Sequence, residues 1–229
     1  MIDTIFVILI IFGAVDLIAL AAYLVLRFQY RARRKRVDHY GDRAEHLTQE
    51  YLHKHFPDAF LLNNLYFKTD RGLTQIDHIL ICRYGLYIIE TKSHNGHITV
   101  GERNWTQRYK DKNVSFYSPV RQNQVHLHAL KRVLAQDENF ARYKIGLVCV
   151  FTSKNVSFSE PVRGVVRLNQ LAGYIRKNPQ VRNMNDAKGG LRVNTMQKLK
   201  TLILDNAEKS ARKQIRHNND IHNQYSENP

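Results

Sequence analysis

Two apolar segments joined by a short turn constrain the fold of this chain more than any other feature. Gln75–Cys82 and Leu86–Lys92 are dominated by isoleucine and leucine, which is typical of buried β-strands. Between them, Arg83-Tyr84-Gly85 provides a tight turn. The sequence therefore predicts a β-hairpin in the core of the fold.

Three charged side chains interrupt this hairpin at the end far from its turn. Successive side chains alternate between the two faces of a strand, so folding about the turn places Asp77 almost opposite Glu90 and Lys92. Buried charges cost free energy unless they are paired or bind a metal ion. Two carboxylates can hold Mg²⁺, and a lysine can orient or deprotonate a metal-bound water. The alternative is a solvated charge pair, because Glu-x-Lys triplets are common.

A third carboxylate comes from a predicted helix over Tyr40–His55, which ends before Pro57. Glu45 lies beside the apolar stripe of this helix, so its side chain can reach toward the sheet. The alternative is a partly exposed glutamate near the helix start, where the helix dipole favours negative charge. Glu45 is thus a candidate third member of the site.

Several blocks of sequence, in the expected order, resemble the nuclease-related domain (NERD), a branch of the PD-(D/E)XK nuclease superfamily. The resemblance covers roughly His39 to Thr152, about half of the chain. The matching positions are Gly41–Glu45, Gln75–Ile81, Gly85–Lys92, Asn95–Ile98, Trp105, Ser118–Asn123 and His126.

This resemblance implies a restriction-endonuclease-like α/β fold, with a mixed central β-sheet flanked by helices. It implies catalysis of phosphodiester hydrolysis with Mg²⁺ or Mn²⁺, and it places four residues at the acid, acid, acid and lysine positions of the superfamily site. A fifth, Gln122, matches a family glutamine that would position substrate, although Ser118 replaces the family's asparagine before it. The implied site residues are Glu45, Asp77, Glu90, Lys92 and Gln122, with the three carboxylates as metal ligands.

The segment Ile5–Leu26 is apolar except for Asp16, and its length is close to the ~20 residues that span a bilayer as a helix. A signal peptide is the alternative, but positive charge follows the segment instead of preceding it. The sequence therefore predicts an uncleaved single-pass anchor in the cell membrane, with the N-terminus outside and the remaining chain in the cytoplasm. The basic residues that follow are Arg27, Arg31, Arg33, Arg34, Lys35 and Arg36.

Asp16 would lie within the membrane, where a carboxylate costs roughly 2.5–3.5 kcal/mol. A hydrogen bond to a neighbouring copy would lower this cost, which suggests a homo-oligomer formed through the anchor. The alternative is that the surrounding apolar residues outweigh one acid.

The formal net charge of +15 and the pI near 9.9 favour a polyanionic partner, namely DNA or RNA. Basic and aromatic residues interleave near the predicted site, which suits phosphate contacts combined with base stacking. The alternatives are a solvated basic hairpin with half-buried aromatics and, for His126, an ordinary histidine on a helix surface. The candidate nucleic-acid contacts are Arg103, Trp105, Arg108, Lys110, Lys112, Arg121 and His126.

The chain is predicted to comprise an anchor (1–27), a basic juxtamembrane linker (28–38), the nuclease-like domain (39–177) and a basic C-terminal helix with a polar tail (178–229). Asn194 is expected to cap that last helix, which runs from Met196 to about Arg216. Cys82 and Cys149 are expected to be free buried thiols, since their spacing does not suit zinc.

Two classes of function follow from these observations. One is a membrane-anchored, metal-dependent nuclease that hydrolyses phosphodiester bonds of DNA or RNA on the cytoplasmic side. The other is a catalytically silent module that binds nucleic acid or acts as a scaffold at the membrane.

Overall fold

The computed structural model describes the backbone of residues 2–178 and 190–208, and the side chains of residues 18–31, 39–178 and 190–208. The chain divides into two compact units between Arg43 and Ala44. The predicted polar tail and the end of the predicted C-terminal helix fall largely outside the described residues.

The first unit contains the start of helix α1, which runs over Ile2–His55. Every described side chain from Ile18 to Arg31 is exposed. The predicted anchor, Ile5–Leu26, lies mostly outside the described side chains. Along the chain as far as side chains are described, no helix combines the length and the apolar character needed to cross a membrane.

The second unit contains nine strands and, after the end of α1, three further α-helices within the described ranges. These helices are α2 (Pro119–Leu134), α3 (Leu171–Lys177) and α4 (Val193–Asn206). The strands are β1 (Phe60–Thr69), β2 (Gly72–Cys82), β3 (Gly85–Lys92), β4 (Gly96–Thr99), β5 (Asn104–Tyr109), β6 (Lys112–Tyr117), β7 (Ile145–Phe151), β8 (Val156–Phe158) and β9 (Val165–Arg167).

A five-stranded mixed sheet forms the centre of this unit, in the order β1-β2-β3-β7-β9. The first three strands form an antiparallel meander, whereas β7 runs parallel to both β3 and β9. Helix α2 precedes β7, as expected of a crossover onto a parallel strand. The predicted mixed α/β fold with flanking helices is confirmed.

A second sheet of four short strands, in the order β6-β5-β4-β8, accompanies the central one. The sequence predicted a mixed central sheet and did not indicate this second one. The antiparallel strands β4, β5 and β6 pair among themselves, and β8 adds to β4 in parallel. These strands are short and mostly polar, so they complete one another's ladders on the surface instead of extending the central sheet.

Alternation along the central strands divides the core into two layers. On one face, Ile79, Ile81 and Ile88 pack with residues of α2 and α4. On the other face, Leu80 and Ile89 pack with residues of α3 and with residues at the C-terminal end of α1. The predicted hairpin therefore lies at the centre of the unit, buried on both faces.

Helix α4 differs from its predicted bounds. It begins at Val193, so Asn194 is inside the helix and does not cap it, and Arg192 occupies the cap position without a side-chain cap bond. It ends at Asn206, because Ala207 adopts extended backbone angles. The predicted continuation from position 209 to Arg216 lies outside the described residues.

Candidate nuclease site

The charged end of the hairpin lies where the ladder between β2 and β3 stops. The last paired residues are His78 and Ile89, so Asp77 and Glu90 follow directly at the open end. There the Asp77 carboxylate replaces a backbone acceptor of the ladder, because its Oδ2 accepts a hydrogen bond of 2.8 Å from the backbone N–H of Thr91. Strand β3 continues to Lys92 through its parallel pairing with β7. The two strands thus separate at the candidate site.

Strand β2 changes its facing at Asp77. Thr74 contacts α2, and Ile79 packs in the cluster that α2 covers, although strict alternation would put positions 74 and 79 on opposite faces. On the neighbouring strand β1, Asn64 has a φ of 54°. Neither Asn64 nor Asp77 is paired in the β1–β2 register, which passes from Asn63–His78 to Leu65–Ile76. This irregularity removes Asp77 from the regular ladder and leaves its carboxylate to the site.

Helix α2 supplies the other wall of the site. Its start is fixed by Pro119 at the first turn and by the Ser118 side chain, which accepts a hydrogen bond from the backbone N–H of Arg121. Gln122 and His126 are four residues apart and therefore lie on one face of the helix. That face is directed at β3.

A buried network joins β3 to α2 through Glu90. The Lys92 ammonium donates to Glu90 Oε1 at 2.7 Å and to Gln122 Oε1 at 3.0 Å. The other carboxylate oxygen of Glu90 lies 3.1 Å from His126 Nε2, and Nδ1 of that histidine lies 2.8 Å from the Thr74 hydroxyl. Glu90 is only 2% exposed, whereas the Lys92 side chain retains 18% exposure. Lys92 is thus held in one position while part of it still faces solvent.

The two hairpin carboxylates have opposite electrostatic environments. Burial raises the pKa of the Asp77 carboxyl well above its usual range, and the charges of Glu90 and Glu45 raise it further. Burial also acts to raise the pKa of Glu90, but Lys92 and His126 outweigh it and hold that pKa below its usual range. Glu90 is therefore a stable anion, while the charge on Asp77 lacks full compensation.

Glu45 stands near these groups on the last part of α1. It is half-buried, and its charge contributes to the raised pKa of Asp77. The helix turn that carries it is packed against β3, because Ala44 is buried and the Thr91 hydroxyl donates to Thr48 at 3.3 Å. Glu45 thus approaches the site from the face of the sheet opposite α2.

The donor chemistry of the site suits a hard divalent cation. Asp77, Glu90 and Glu45 offer the carboxylate oxygens that Mg²⁺ and Mn²⁺ prefer, and a bound cation would relieve the repulsion that Asp77 experiences. Among the described side chains, no three His, Cys, Asp or Glu residues are already gathered as a ready cage.

Two predicted nucleic-acid contacts are buried instead. Trp105 is 1% exposed and lies among Phe116, Phe151 and Phe158 in the core of the small sheet. His126 is 2% exposed and holds Glu90, which excludes the alternative of a helix-surface histidine as well. Neither ring is available for contact with a base. Both predictions were wrong for the same reason. The packing of one element on another decides which face of a strand or helix is buried, and the sequence of that element alone does not show it.

The basic side chains predicted to contact nucleic acid are exposed. Arg121 also bonds to Glu102 through its guanidinium. The remaining four belong to the β5–β6 hairpin and the residue before it, and they are Arg103, Arg108, Lys110 and Lys112.

His94 is a polar residue near the site that the sequence did not reveal. Its ring stacks on Phe116 with 3.9 Å between centroids. Burial, and then the charge of Lys92, lower the pKa of this imidazole to about 4, so His94 is neutral at pH 7. Its Nδ1 is buried and has no hydrogen-bond partner among the described residues. Only its place two residues after Lys92 could have indicated it.

Part of the chain is similar in sequence to known proteins. Residues 40–152 match the model of the family described as a nuclease-related domain. An uncharacterized protein of Bacillus anthracis is 36% identical over 100 residues, which cover 42% of this chain and 47% of that protein. The chain thus spans about half the length of this curated relative. No solved structure matches the chain.

A nuclease-related domain is therefore present at residues 40–152. This range includes α2, both strands of the hairpin and the buried network around Glu90. The domain suggests a nuclease-like function for the chain.

Replacing His126 with leucine is expected to destabilise the fold by about 1–3 kcal/mol, because buried Glu90 and Thr74 each lose a hydrogen-bond partner. Denaturant unfolding monitored by circular dichroism measures this change. His128→Ala, on the exposed side of the same helix, is the control and should stay within about 0.5 kcal/mol of wild type. Equal stability of His126→Leu and wild type would show that the network does not support the fold.

Proposed function

We propose that this chain is a metal-dependent nuclease that hydrolyses phosphodiester bonds of DNA or RNA. The observation that carries the proposal is the placement of Lys92, whose ammonium is fixed between Glu90 and Gln122 beside Asp77. If the Lys92–Glu90 ion pair were only structural, it would not require the second carboxylate of Asp77 beside it, whose charge is not fully compensated. The nuclease-related domain at residues 40–152 supports the same conclusion.

Asp77 and Glu90, with Glu45 from α1, would hold Mg²⁺ or Mn²⁺. A bound cation supplies Lewis acidity toward a phosphate oxygen and a lowered pKa for a coordinated water. The protein contributes a low-dielectric surrounding, since Asp77 and Glu90 are buried. Electrostatic interactions with an approaching phosphate are stronger in such a place than in water.

Lys92 acts at the reacting phosphate in this proposal. Its two fixed acceptors aim the ammonium, and its remaining exposure lets it meet the substrate. There it stabilises the negative charge that grows on the phosphoryl oxygens and orients the attacking water. Gln122 is a positioning residue, because its Oε1 holds Lys92 in place.

His126 and Thr74 form the support behind Glu90. The chain from Thr74 through His126 to Glu90 Oε2 fixes one carboxylate oxygen, while Lys92 holds the other. Supports of this kind orient ligands and tune their charge in metal sites. Nucleic acid would approach across the exposed cations Arg103, Arg108, Lys110 and Lys112.

The alternative is a nucleic-acid-binding module without turnover. One observation favours it, namely that both oxygens of Glu90 are already engaged within the protein. Metal binding distinguishes the two proposals, because a silent module does not need the cation.

Asp77→Asn is expected to raise the melting temperature in EDTA at pH 7. The pKa of Asp77 is higher in the folded than in the unfolded protein, so its contribution to stability is present at acid pH and is lost as the pH rises through the folded-state pKa. The amide removes this cost and keeps an oxygen for the Thr91 N–H. We expect an increase of a few degrees, since 1 kcal/mol corresponds to about 2–4 °C in a domain of this size. The increase should shrink as the pH is lowered.

Adding Mg²⁺ or Mn²⁺ should then stabilise the wild type and leave Asp77→Asn almost unchanged. Asp111→Asn, in the exposed turn between β5 and β6, should respond to the metal as the wild type does. Differential scanning fluorimetry with increasing metal concentration measures both effects. An equal metal response of Asp77→Asn and wild type would remove Asp77 from the metal site.

A further inference from the structure

A cavity of about 580 Å³ lies beside α2, away from the β5–β6 hairpin, and belongs to none of the surfaces described above. Its walls come from α2, from the segment before β7 and the start of that strand, and from the residues around Gly164 and α3. Its volume falls within the range of small-molecule and nucleotide sites. The cavity could not be predicted from the sequence, because its residues are scattered between positions 120 and 178.

The cavity is lined by cations, and none of the described residues in its wall carries a carboxylate. Lys131 comes from α2, Arg142 and Lys144 come from the loop before β7, and Arg163 precedes Gly164. Within the ranges where side chains are described, none of the four forms an ion pair with an acid. Four positive charges around one concave surface, with no described acid paired to them, attract an anion.

Tyr174 adds a neutral hydrogen-bond donor to this wall. Burial raises the pKa of its phenol, with the charge of Arg163 acting in the opposite direction. The hydroxyl therefore keeps its proton at neutral pH and can donate to an anionic oxygen. Apolar side chains, including Leu127 and Ile145, complete the lining. A ligand with an anionic group and an uncharged ring matches this mixture.

The cavity reaches the neighbourhood of the candidate site at its floor. Asn123 and Cys149 line it, and the Asn123 amide donates to Val148 O at 2.9 Å and to Cys149 Sγ at 3.2 Å. Asn123 follows Gln122 along α2, and Cys149 is the register partner of Glu90 across β3 and β7. From position 120 to position 131 the lining follows α2 for about 16 Å at 1.5 Å per residue. The cavity is thus a groove that leads away from the site along this helix.

We propose that this groove binds the phosphate-bearing part of a nucleotide, either free or within the strand that the site cleaves. Binding of a phosphate group is inferred from the cation-lined wall alone. Binding of a strand that the site cleaves rests in addition on the proposed nuclease function. Lys131, Arg142, Lys144 and Arg163 contact phosphate oxygens, and the apolar wall faces the sugar or base.

Binding measured without cleavage tests this proposal separately from the nuclease activity. The full chain in EDTA is titrated into 5′-fluorescein-labelled 12-mers of single-stranded DNA and RNA, and fluorescence anisotropy is followed from 50 to 200 mM salt. The variant Lys144→Ser/Arg163→Ser removes cations from two walls, and Lys54→Ser/Arg71→Ser is a control of equal charge on exposed positions elsewhere.

The groove variant is expected to bind at least about fivefold more weakly than the control. Its salt slope should be lower by about 1.4, since each phosphate contact to a single strand contributes about 0.7. The second variant, Lys131→Ser/Arg142→Ser, should show the same loss of affinity and the same decrease in salt slope. It tests the groove if the first variant does not fold. Equal losses in the groove and control variants, or no loss in either, would overturn the proposal.

Competition identifies the source of the phosphate. Displacement of the probe by unlabelled AMP assigns the groove to free nucleotides, and displacement only by an unlabelled 12-mer assigns it to a strand. Displacement by polyglutamate as effective as that by the 12-mer would overturn the proposal, because it would show a general attraction for anions. Weakened binding by the groove variant with no cleavage by the wild type would reject the nuclease function and keep the phosphate site.

Discussion

Glu90→Gln is expected to abolish metal-dependent cleavage, with a loss on the order of 10³-fold in kcat. The substitution removes the negative charge that holds the Lys92 ammonium at 2.7 Å and takes away one proposed metal ligand. The fold should survive, because the amide can keep its oxygen toward Lys92 and its NH₂ toward His126. That histidine then accepts at Nε2 and donates from Nδ1 to the Thr74 hydroxyl.

Initial rates on labelled oligonucleotides, together with circular dichroism of each variant, measure this effect. Glu102→Gln is the matched control, since Glu102 also contacts a basic side chain, Arg121, but is highly exposed. It should cleave within about twofold of wild type, as surface changes away from a site have small effects. A folded Glu90→Gln protein that cleaves at the wild-type rate would contradict the assignment of Glu90.

Lys92→Arg is expected to lose roughly 10²-fold or more in kcat while keeping most of its nucleic-acid affinity. One ammonium nitrogen of Lys92 serves both Glu90 Oε1 and Gln122 Oε1, at 2.7 and 3.0 Å. A planar guanidinium cannot place a single nitrogen there without displacing its neighbours. The salt dependence of binding should stay close to that of the wild type, because the charge is retained.

Lys54→Arg, at an exposed position in the last turn of α1, is the matched control and should leave kcat unchanged. If Lys92 only neutralises its acidic neighbours, arginine would substitute well and Lys92→Ala alone would be harmful, mainly through stability. Near wild-type cleavage by Lys92→Arg would therefore reject a chemical role for this lysine.

Local sequence signals were sufficient to predict the elements that build the site. Apolar runs separated by the turn at Gly85 predicted β2 and β3. These signals act over a few residues, through turn geometry and helix capping, and do not depend on distant parts of the chain. The last turn of α1 was likewise predicted to end before Pro57, and it does.

The partners of each charged residue could not be predicted in the same way. His126 reaches Glu90 across 36 positions of sequence and Thr74 across 52, so only the packing of α2 on the sheet brings them together. Trp105 was predicted to contact nucleic acid, but one face of β5 is covered within the second sheet. The Trp105 side chain lies on that face and is therefore buried. The side chains of β2 change faces at Asp77, opposite the unpaired Asn64 of β1. The sequence of β2 alone does not indicate this change.

A cleavage assay of the purified full chain on single- and double-stranded DNA and RNA decides whether this protein is a nuclease. Each substrate is incubated with Mg²⁺, with Mn²⁺ and with EDTA, beside Glu90→Gln prepared identically. We predict that the wild type cleaves at least one substrate with a divalent cation, and that both EDTA and the variant abolish cleavage. Absence of cleavage on every substrate, or equal cleavage by wild type and variant, would contradict the account.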